Sequence, residues 1–471
     1  MNVTLTILAY LSLTAAFFGE VIRPAPSGLA MLLVALAAAL LGCWKERPAV
    51  PGANPGRIVV LGLAALASAE LIWLLRGFSD PASSIPYMVS GLIVLSVLVG
   101  SYAWRGMPWP HLRFGGILAI YAVLATLVIG AKPEPKIDVW YFQQGAAQAL
   151  LEGRNPYTAE YPDPHAHLRQ PTIEGAAGNG KLYVFPYPPL CFLADLPGYV
   201  LFGDVRYSHL AAILLVTAFV AGTGWRLGVP AGHPAELAAV TLLCHPRGFA
   251  MLEFAFTEPY VAAGLAGAVW VLAGQRAGRA WLPLAAGLAV KQYAILCLPG
   301  LWATRRLGAR PLVGAILAAG VVTLPFFLWA PKEFWRSVIS FNAANPFQTD
   351  CLSISAWLAL NTGEQLSALV KKVSSLVGFG AAFGVMGLVW WRAWGPMAPG
   401  ILGTGATFLA FFMFNRDAPI NYYWLVATLF SVAVMVAFAE STAVPEKVSP
   451  PAASPPEVLA DSPGQSSIRE G

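Results

Sequence analysis

The sequence predicts an all-α protein that crosses a lipid bilayer many times. Of its 471 residues, 57% are hydrophobic and only 11% are charged, whereas an ordinary soluble domain carries about 25% charged residues. Polar side chains are therefore too few to cover a water-facing globule of this size, and lipid must be the solvent for most of it. The apolar residues also form runs close to the roughly 20 residues that a membrane-crossing helix needs. Open sheet edges cannot face lipid, so these runs are predicted to be helices.

The runs follow one another along the chain and predict a bundle of about 12–14 transmembrane helices. They lie at about 4–19, 28–44, 58–75, 86–103, 114–131, 189–203, 208–225, 235–252, 258–274, 281–302, 311–330, 373–391, 398–414 and 421–439. We divide the chain into N-terminal helices of unknown role (1–112), a membrane domain (113–440) and a tail (441–471). The tail is rich in Pro, Ser, Ala and Glu and is predicted to be a disordered cytoplasmic extension.

Basic residues in the short loops predict the orientation of the bundle. Counting spans places most of them on one side, which the positive-inside bias makes cytoplasmic. They are Lys45, Arg47, Arg57, Arg105, Arg113, Arg305, Arg306 and Arg310. Arg276 and Arg279 fall on the other side by the same count, and a short or re-entrant helix within 235–302 would explain this disagreement. The two long polar segments, 132–188 and 331–372, are then both external.

The first external segment opens with an amphipathic helix. DVWYFQQGAAQALLE, from Asp138 to Glu152, has apolar residues at helical spacing, and its three adjacent aromatic residues suit a helix lying at the membrane surface. Asp138 is the first residue of this helix. Its carboxylate can accept a proton from an incoming hydroxyl, or it can cap the helix, and the pattern alone leaves both roles open.

Charged residues inside apolar runs are costly and require a partner or a function. Lys291 lies within WLPLAAGLAVKQYAILCLPGL, where it could extend to the interface, form a structural ion pair, or bind a lipid phosphate. Arg247 in CHPRGF and Arg416 in NRDAP are weaker candidates for phosphate binding, and a simple loop position is favoured for Arg416. Glu253 and Glu258 flank a short apolar stretch and are expected to pair with Arg247 in a structural role.

No cofactor or metal site is predicted with any strength. Asp163, His165 and His167 lie close together in PDPHAH and could hold a divalent cation, but mobile loops often carry such residues without a metal. The five cysteines form no CxxC pair. The net charge of +5 is too modest to indicate nucleic-acid binding.

Three segments together carry a resemblance to a known family. IDVWYFQQGAAQALLEGRNPY followed by FPYPPLCFLADLPGYVLFG resembles the C-type membrane glycosyltransferases, most closely the bacterial mannosyltransferases that depend on polyprenol-phosphate mannose (glycosyltransferase 87-like). GLAVKQYAILCLPGLWATRR is similar to a second signature of that family, and NYYWL to a third and weaker one. The similarity covers roughly 114–439.

The resemblance implies inverting transfer of mannose, or of another hexose or a pentose, from a polyprenyl-phosphate donor to a lipid or glycan acceptor. The site would face the outside of the bacterial cytoplasmic membrane and need no cofactor. Asp138 would be the general base, the donor phosphate would meet the three cationic candidates, and the GRNPY and YPPL segments would bind substrate. The phosphate-binding residues are Lys291, Arg247 and Arg416, and the loop residues are Arg154, Asn155, Tyr157 and Tyr187. Members of the family commonly have the catalytic aspartate after their first span, whereas here about four further spans come first.

Three other classes of protein fit parts of the pattern. A transporter or lipid flippase shares the many spans and the few intramembrane charges, but no inverted repeat is visible in the sequence. An external polymerase of lipid-linked glycans also uses large loops but lacks the GRNPY and YPPL combination. A purely structural scaffold does not account for Asp138 beside an amphipathic helix.

Overall fold

A computed structural model describes residues 3–17, 24–43, 97, 99–103, 109–164, 180–245, 248–344, 347–392, 395–442 and 471. Of these residues 78% are helical, and the strands in this part of the chain are a single antiparallel pair, β1 (Tyr161–Pro162) with β2 (Lys181–Leu182). The described residues are therefore mostly helical with almost no strand, which is compatible with the predicted all-α bundle. The predicted spans 58–75 and most of 86–103, and the predicted tail beyond Thr442, lie outside the described residues.

The helices are labelled in chain order. They are α1 (Val3–Ala15), α2 (Pro26–Gly42), α3 (Pro110–Ala131), α4 (Asp138–Leu151), α5 (Leu190–Phe202), α6 (Arg206–Arg226), α7 (Leu237–Leu243), α8 (Gly248–Glu253), α9 (Glu258–Leu272), α10 (Trp281–Leu288), α11 (Leu298–Ala303), α12 (Ala309–Trp329), α13 (Pro331–Trp335), α14 (Phe341–Ala344), α15 (Ile354–Asn361), α16 (Glu364–Arg392), α17 (Met397–Phe414) and α18 (Ile420–Thr442). Short 3₁₀ turns occur at Ser101–Ala103, Pro156–Thr158, Pro234–Glu236, Ala277–Ala280 and Gln292–Cys297, and a π turn at Arg336–Ser340.

Within the described ranges, six helices are long and apolar enough to cross a membrane: α3, α6, α12, α16, α17 and α18. Each of them overlaps a predicted span. Helix α16 begins nine residues earlier than its predicted span at 373, so 364–372 is helix and not loop. Helices α17 and α18 are almost wholly buried in the protein, whereas α12 buries only Ala315 and leaves its apolar side chains exposed, as a lipid-facing helix does.

Several predicted spans are shorter or interrupted. The run at 189–203 forms the 13-residue α5, and 235–252 is divided between α7 and α8. The runs at 4–19, 28–44 and 258–274 form helices of 13, 17 and 15 residues. At 1.5 Å per residue, a 13-residue helix is only about 20 Å long and does not cross the hydrocarbon core by itself.

The predicted span at 281–302 is a hairpin with Lys291 at its tip. Lys291 has extended backbone angles (φ −143°, ψ 139°) between α10 and the following 3₁₀ turn. Helix α10 runs antiparallel to α9, since Gly267 lies against Pro283 and Gly264 against Gly287. The helices approach closely at Gly264, where a Cβ atom would come within 2.6 Å of the Gly287 nitrogen. Beyond the hairpin, the Arg306 guanidinium donates to the carbonyl of Leu272, the last residue of α9.

The first arm of this hairpin therefore starts, and the second arm finishes, at the same end of the molecule, which we call the basic end. It carries Arg276, Arg279, Arg305 and Arg306 near the close of α9 and α11. Counting spans had placed Arg276 and Arg279 on the side opposite to the other basic residues. The short helices within 235–302 bring them to the same end as Arg305 and Arg306, as the sequence suggested.

At the other end, the two long loops pack against each other and form a second core. Its buried side chains come from α4, from 157–192 and from 334–341. The π turn is tied to the YPPL loop by hydrogen bonds from Arg336 Nη2 to the Tyr183 carbonyl (2.8 Å) and from the Phe185 N–H to Ser337 Oγ (3.2 Å). The two long segments that were expected at the same face, 132–188 and 331–372, therefore contact each other at this end of the molecule.

Candidate functional site

The site is built around Lys291, at the point where the α10 helix stops. Its ammonium donates to Glu258 Oε1 at 2.6 Å, and the Tyr293 hydroxyl donates to the same oxygen at 2.8 Å. Lys291 is 5% exposed and Glu258 is fully buried. A buried ammonium needs an opposite charge to be retained, so Glu258, the first residue of α9, fixes the tip of the hairpin at this depth.

Three tyrosine rings surround the Lys291 ammonium. The distances from Nζ to the ring centroids are 4.9 Å for Tyr422, 5.1 Å for Tyr187 and 5.5 Å for Tyr293. These rings come from three separate parts of the chain, and cations within about 6 Å of such a face are attracted by its quadrupole. The cluster of Lys291, Glu258 and these three tyrosines is called the Lys291 cluster below.

The hydrogen-bonding capacity of the Lys291 cluster is not filled. Glu258 Oε1 accepts two hydrogen bonds, but the buried Oε2 atom has no hydrogen-bond partner among the described residues. A buried carboxylate oxygen left in this way is uncommon and calls for an explanation, such as a bound group.

Asp138 lies beside this cluster, at the start of α4. Its Oδ1 atom accepts the N–H of Val139 at 2.9 Å, so the carboxylate does bond the first turn of its own helix. Burial raises the pKa of the Tyr187 phenol well above its usual value, and the negative charges of Asp138 and Glu258 add to the rise. Tyr187 therefore lies close enough to Asp138 and to Glu258 for both charges to act on it, and its ring is 5.1 Å from the Lys291 ammonium.

Asp417, in the loop between α17 and α18, belongs to the same electrostatic environment. Burial raises the pKa of Asp417 to about 6; the positive charges of Lys291 and Arg416 oppose the rise, and the negative charges of Asp350 and Asp138 add to it. The charges of Lys291 and Asp138 both act on Asp417, which places the three side chains in one electrostatic environment.

Arg416 itself has a clear structural role. Its Nη2 atom donates to the backbone carbonyls of Asn342 and Ala343, the latter at 2.9 Å, at the end of α14. Asn342 in turn donates to the Pro186 carbonyl at 2.9 Å. Arg416 thus ties the second long loop to the first, in agreement with the loop position favoured for it.

The four predicted loop residues occupy different environments. Arg154 is exposed and paired with Glu152. The Asn155 side chain accepts the Tyr157 N–H at 3.0 Å and caps the 3₁₀ turn. Tyr157 is fully buried in the second core, and its hydroxyl donates to the Tyr187 carbonyl at 2.8 Å. Tyr187 is therefore the one of the four that belongs to the Lys291 cluster, and the hydrogen bond from Tyr157 holds the Tyr187 backbone in place.

Several other predictions concern residues that the structure places elsewhere or does not describe. Arg247, His165 and His167 lie outside the described residues, and so does the expected pairing of Arg247 with two glutamates. Glu253 forms its salt bridge with Lys132, and Glu258 with Lys291. The described part of the chain holds no group of three potential metal ligands. Helix α4 is present as predicted, but Trp140 and Phe142 are buried within the protein instead of facing lipid.

Sequence reasoning missed four members of the site. Glu258 was assigned a structural pairing with a different cation, and Tyr293, Asp417 and Tyr422 were not singled out. A signal did exist for the last two, since NRDAP precedes NYYWL by one residue and carries a carboxylate between two apolar spans. The pairing of Glu258 with Lys291, 33 positions apart, has no local signature. Comparison of this chain with protein-family models, curated proteins and solved structures finds no match.

Proposed function

We propose that this protein is a membrane glycosyltransferase with many spans, which transfers a hexose or pentose from a polyprenyl-phosphate donor to a lipid or glycan acceptor. The observation that carries the proposal is the buried Lys291–Glu258 pair, which lies against the Tyr187 ring beneath two long loops that pack together. The charge of Asp138 acts on the same Tyr187. Such a site offers a base for the acceptor and a cation for the donor phosphate. The resemblance of GRNPY, YPPL and the lysine segment to C-type glycosyltransferases supports the same reaction class.

In the proposed reaction, the acceptor hydroxyl attacks the anomeric carbon of the donor sugar. Asp138 accepts the hydroxyl proton as the new carbon–oxygen bond forms. The bond between the anomeric carbon and the phosphate oxygen breaks on the opposite side, so the configuration inverts and polyprenyl phosphate leaves. Lys291 stabilises the negative charge that develops on the departing phosphate.

Glu258 has a definite part in this scheme. It holds the Lys291 ammonium at the tip of the hairpin by one hydrogen bond, and an ammonium has three N–H groups. The remaining donors can meet a phosphate oxygen without loss of the ion pair. We infer that the site faces the outside of a bacterial cytoplasmic membrane, because the basic end lies opposite to it and the positive-inside bias makes that end cytoplasmic.

The proposal is tested by transfer of radiolabelled mannose from polyprenyl-phosphate mannose into membrane lipids or glycans. Wild type and Asp138→Asn are compared in native membranes, with Glu160→Gln as the matched control, because Glu160 is an exposed carboxylate that pairs with Lys181 at the β1–β2 pair. Loss of a general base typically lowers the rate by about 10²–10⁴-fold.

Transfer by wild type and Glu160→Gln, with loss of that size in a normally folded Asp138→Asn, supports both the reaction class and the base. Equal transfer by Asp138→Asn excludes Asp138 as the base and leaves the reaction class standing. No transfer from any polyprenyl-phosphate sugar excludes the proposal.

One observation favours a transporter or lipid flippase as the second candidate. The interrupted hairpin with an ion pair at its tip resembles the discontinuous helices that form binding sites in transporters. A carrier would move a labelled lipid phosphate across the bilayer of proteoliposomes without cleaving it, whereas the proposed enzyme would release the sugar from it.

A further inference from the structure

The turn at residues 254–257 joins α8 to Glu258 and has a strained backbone. Helix α8 ends in a Schellman arrangement, in which the Ala255 N–H bonds to the Leu252 carbonyl (3.1 Å) and the Phe256 N–H to the Met251 carbonyl (3.0 Å). Ala255 occupies the left-handed position of this motif, with φ 53°. Glycine is the usual residue there, and a side chain at such a position costs about 1 kcal/mol or more.

The methyl group of Ala255 has a specific contact that explains its presence. Ala255 is fully buried and packs in one small cluster with Trp140 and Ala147 of α4 and with Val205. Because Asp138 opens α4, this contact joins the helix that carries Asp138 to the turn that leads into Glu258.

Two buried side chains hold the carbonyls of the same turn. The Gln143 amide of α4 donates to the Ala255 carbonyl, and the Nδ1–H of His209 in α6 donates to the Phe256 carbonyl at 2.9 Å. Both side chains are fully buried. A carbonyl accepts hydrogen bonds only, so the proton on Nδ1 of His209 is fixed by this contact.

The His209 ring is itself fixed from the other side. Its Nε2 atom lies 3.0 Å from Asp195 Oδ1, and the Tyr260 hydroxyl donates to that same oxygen at 2.6 Å. Tyr260 also lies against the ring, with centroids 4.5 Å apart. The chain from Tyr260 through Asp195 and His209 to the Phe256 carbonyl therefore starts and ends in the segment around Glu258.

We propose that Gln143, Ala255 and His209 are positioning residues that clamp the 254–257 turn and so fix α4, with Asp138 at its start, relative to Glu258 and Lys291. The clamp accounts for the retention of a strained alanine, because the methyl contact with α4 is lost in glycine. It rests on the proposed function only in taking Asp138 as the group whose position matters for catalysis.

The first test is hydrogen–deuterium exchange of the full-length protein in nanodiscs. Gln143→Leu and Ala255→Gly are compared with wild type, and Gln148→Leu is the matched control, since Gln148 lies on the exposed face of α4 and bonds only to Glu152 within the described contacts. We expect faster exchange in peptides of α4 and of 254–260 for the first two variants and no change for the control. Exchange equal to wild type in both Gln143→Leu and Ala255→Gly would overturn the clamp.

The second test separates positioning from simple loss of stability. Glycine suits the backbone of residue 255, so Ala255→Gly is expected to melt at or above the wild-type temperature while kcat for sugar transfer falls about 10-fold to 100-fold and KM changes little. Faster exchange with an unchanged kcat would overturn the positioning role. If wild type transfers no sugar, the proposed function fails, and the exchange result still supports or overturns the clamp.

Discussion

Two buried glutamates at opposite ends of the bundle show how a structural site differs from a candidate functional one. Glu236, near the basic end, accepts from the Trp225 indole (2.7 Å) and the Gly232 N–H (2.6 Å) at Oε1 and from the Tyr102 hydroxyl (2.8 Å) at Oε2. Glu258, at the other end, accepts two hydrogen bonds at Oε1, and its Oε2 has no hydrogen-bond partner among the described residues.

The two clusters also differ in their charges. The partners that donate to Glu236 are neutral, and Arg113 lies over the Tyr102 ring at 3.6 Å. Glu258 is paired directly with the Lys291 ammonium. A buried carboxylate whose two oxygens both accept hydrogen bonds makes the fold rigid and specific, whereas one with an oxygen left without a donor is a site prepared for another group.

The largest expected effect comes from removing the cation of the Lys291 cluster. Lys291→Met leaves the Glu258 carboxylate buried without its ion-pair partner, which is expected to cost about 3–5 kcal/mol of unfolding free energy. Transfer activity is expected to fall by at least about 100-fold, because the developing phosphate charge loses its stabiliser. Both are measured in detergent micelles, by chemical unfolding and by the transfer assay.

The double variant Lys291→Met/Glu258→Gln separates the two losses. Removing the buried charge should recover much of the stability, while activity stays low because the cation is still missing. Recovery of activity together with stability would mean that the ion pair has only a structural role, like the Glu236 cluster.

Replacing Asp417 is expected to change the unfolding free energy by less than Lys291→Met does, and to raise it instead of lowering it. Its pKa is raised from 3.8 to about 6 in the folded protein, so the folded state keeps the proton while the unfolded state loses it as pH rises from about 4 to 6. The fold therefore loses stability across this window, by up to about 3 kcal/mol. Asp417→Asn should be more stable than wild type above pH 6, and the difference should vanish below about pH 4.

Melting temperatures of both proteins between pH 4 and pH 8 check this expectation. Parallel curves for wild type and Asp417→Asn would show that burial does not raise the pKa of Asp417 in the membrane-embedded protein. Ionising the Asp417 carboxylate would then cost no more in the folded protein than in the unfolded chain.

The smallest loss of stability is expected for Glu236→Gln, which tests whether the Glu236 site has only a structural role. The amide nitrogen would face one of the three donors now bound by the carboxylate, and the unsatisfied pair should cost about 1–2 kcal/mol. Activity per folded molecule should equal that of wild type, as measured by the transfer assay normalised to the folded fraction. A loss of kcat would connect the Glu236 cluster to catalysis and remove the contrast with Glu258.

Much of the architecture was determined by the sequence alone. Composition and apolar runs predicted helices long enough to cross a membrane, because hydrophobicity is a local property that can be read residue by residue. The helical spacing after Asp138 predicted α4, and the isolated Lys291 indicated a costly charge that needed a partner.

Only the tertiary structure decided which partner Lys291 has and where the helix stops. The break at Lys291 interrupts a run that is apolar on both sides, and its position depends on Glu258, which comes from another helix. Two aromatic residues of α4 turn inward: Phe142 packs with Tyr161 and Phe185 of the first long loop, and Trp140 lies in one cluster with Val205 and Ala255. Pairings of this kind depend on which helices pack together, and the free energy of a buried charge depends on all its neighbours in space, not on those beside it in the chain.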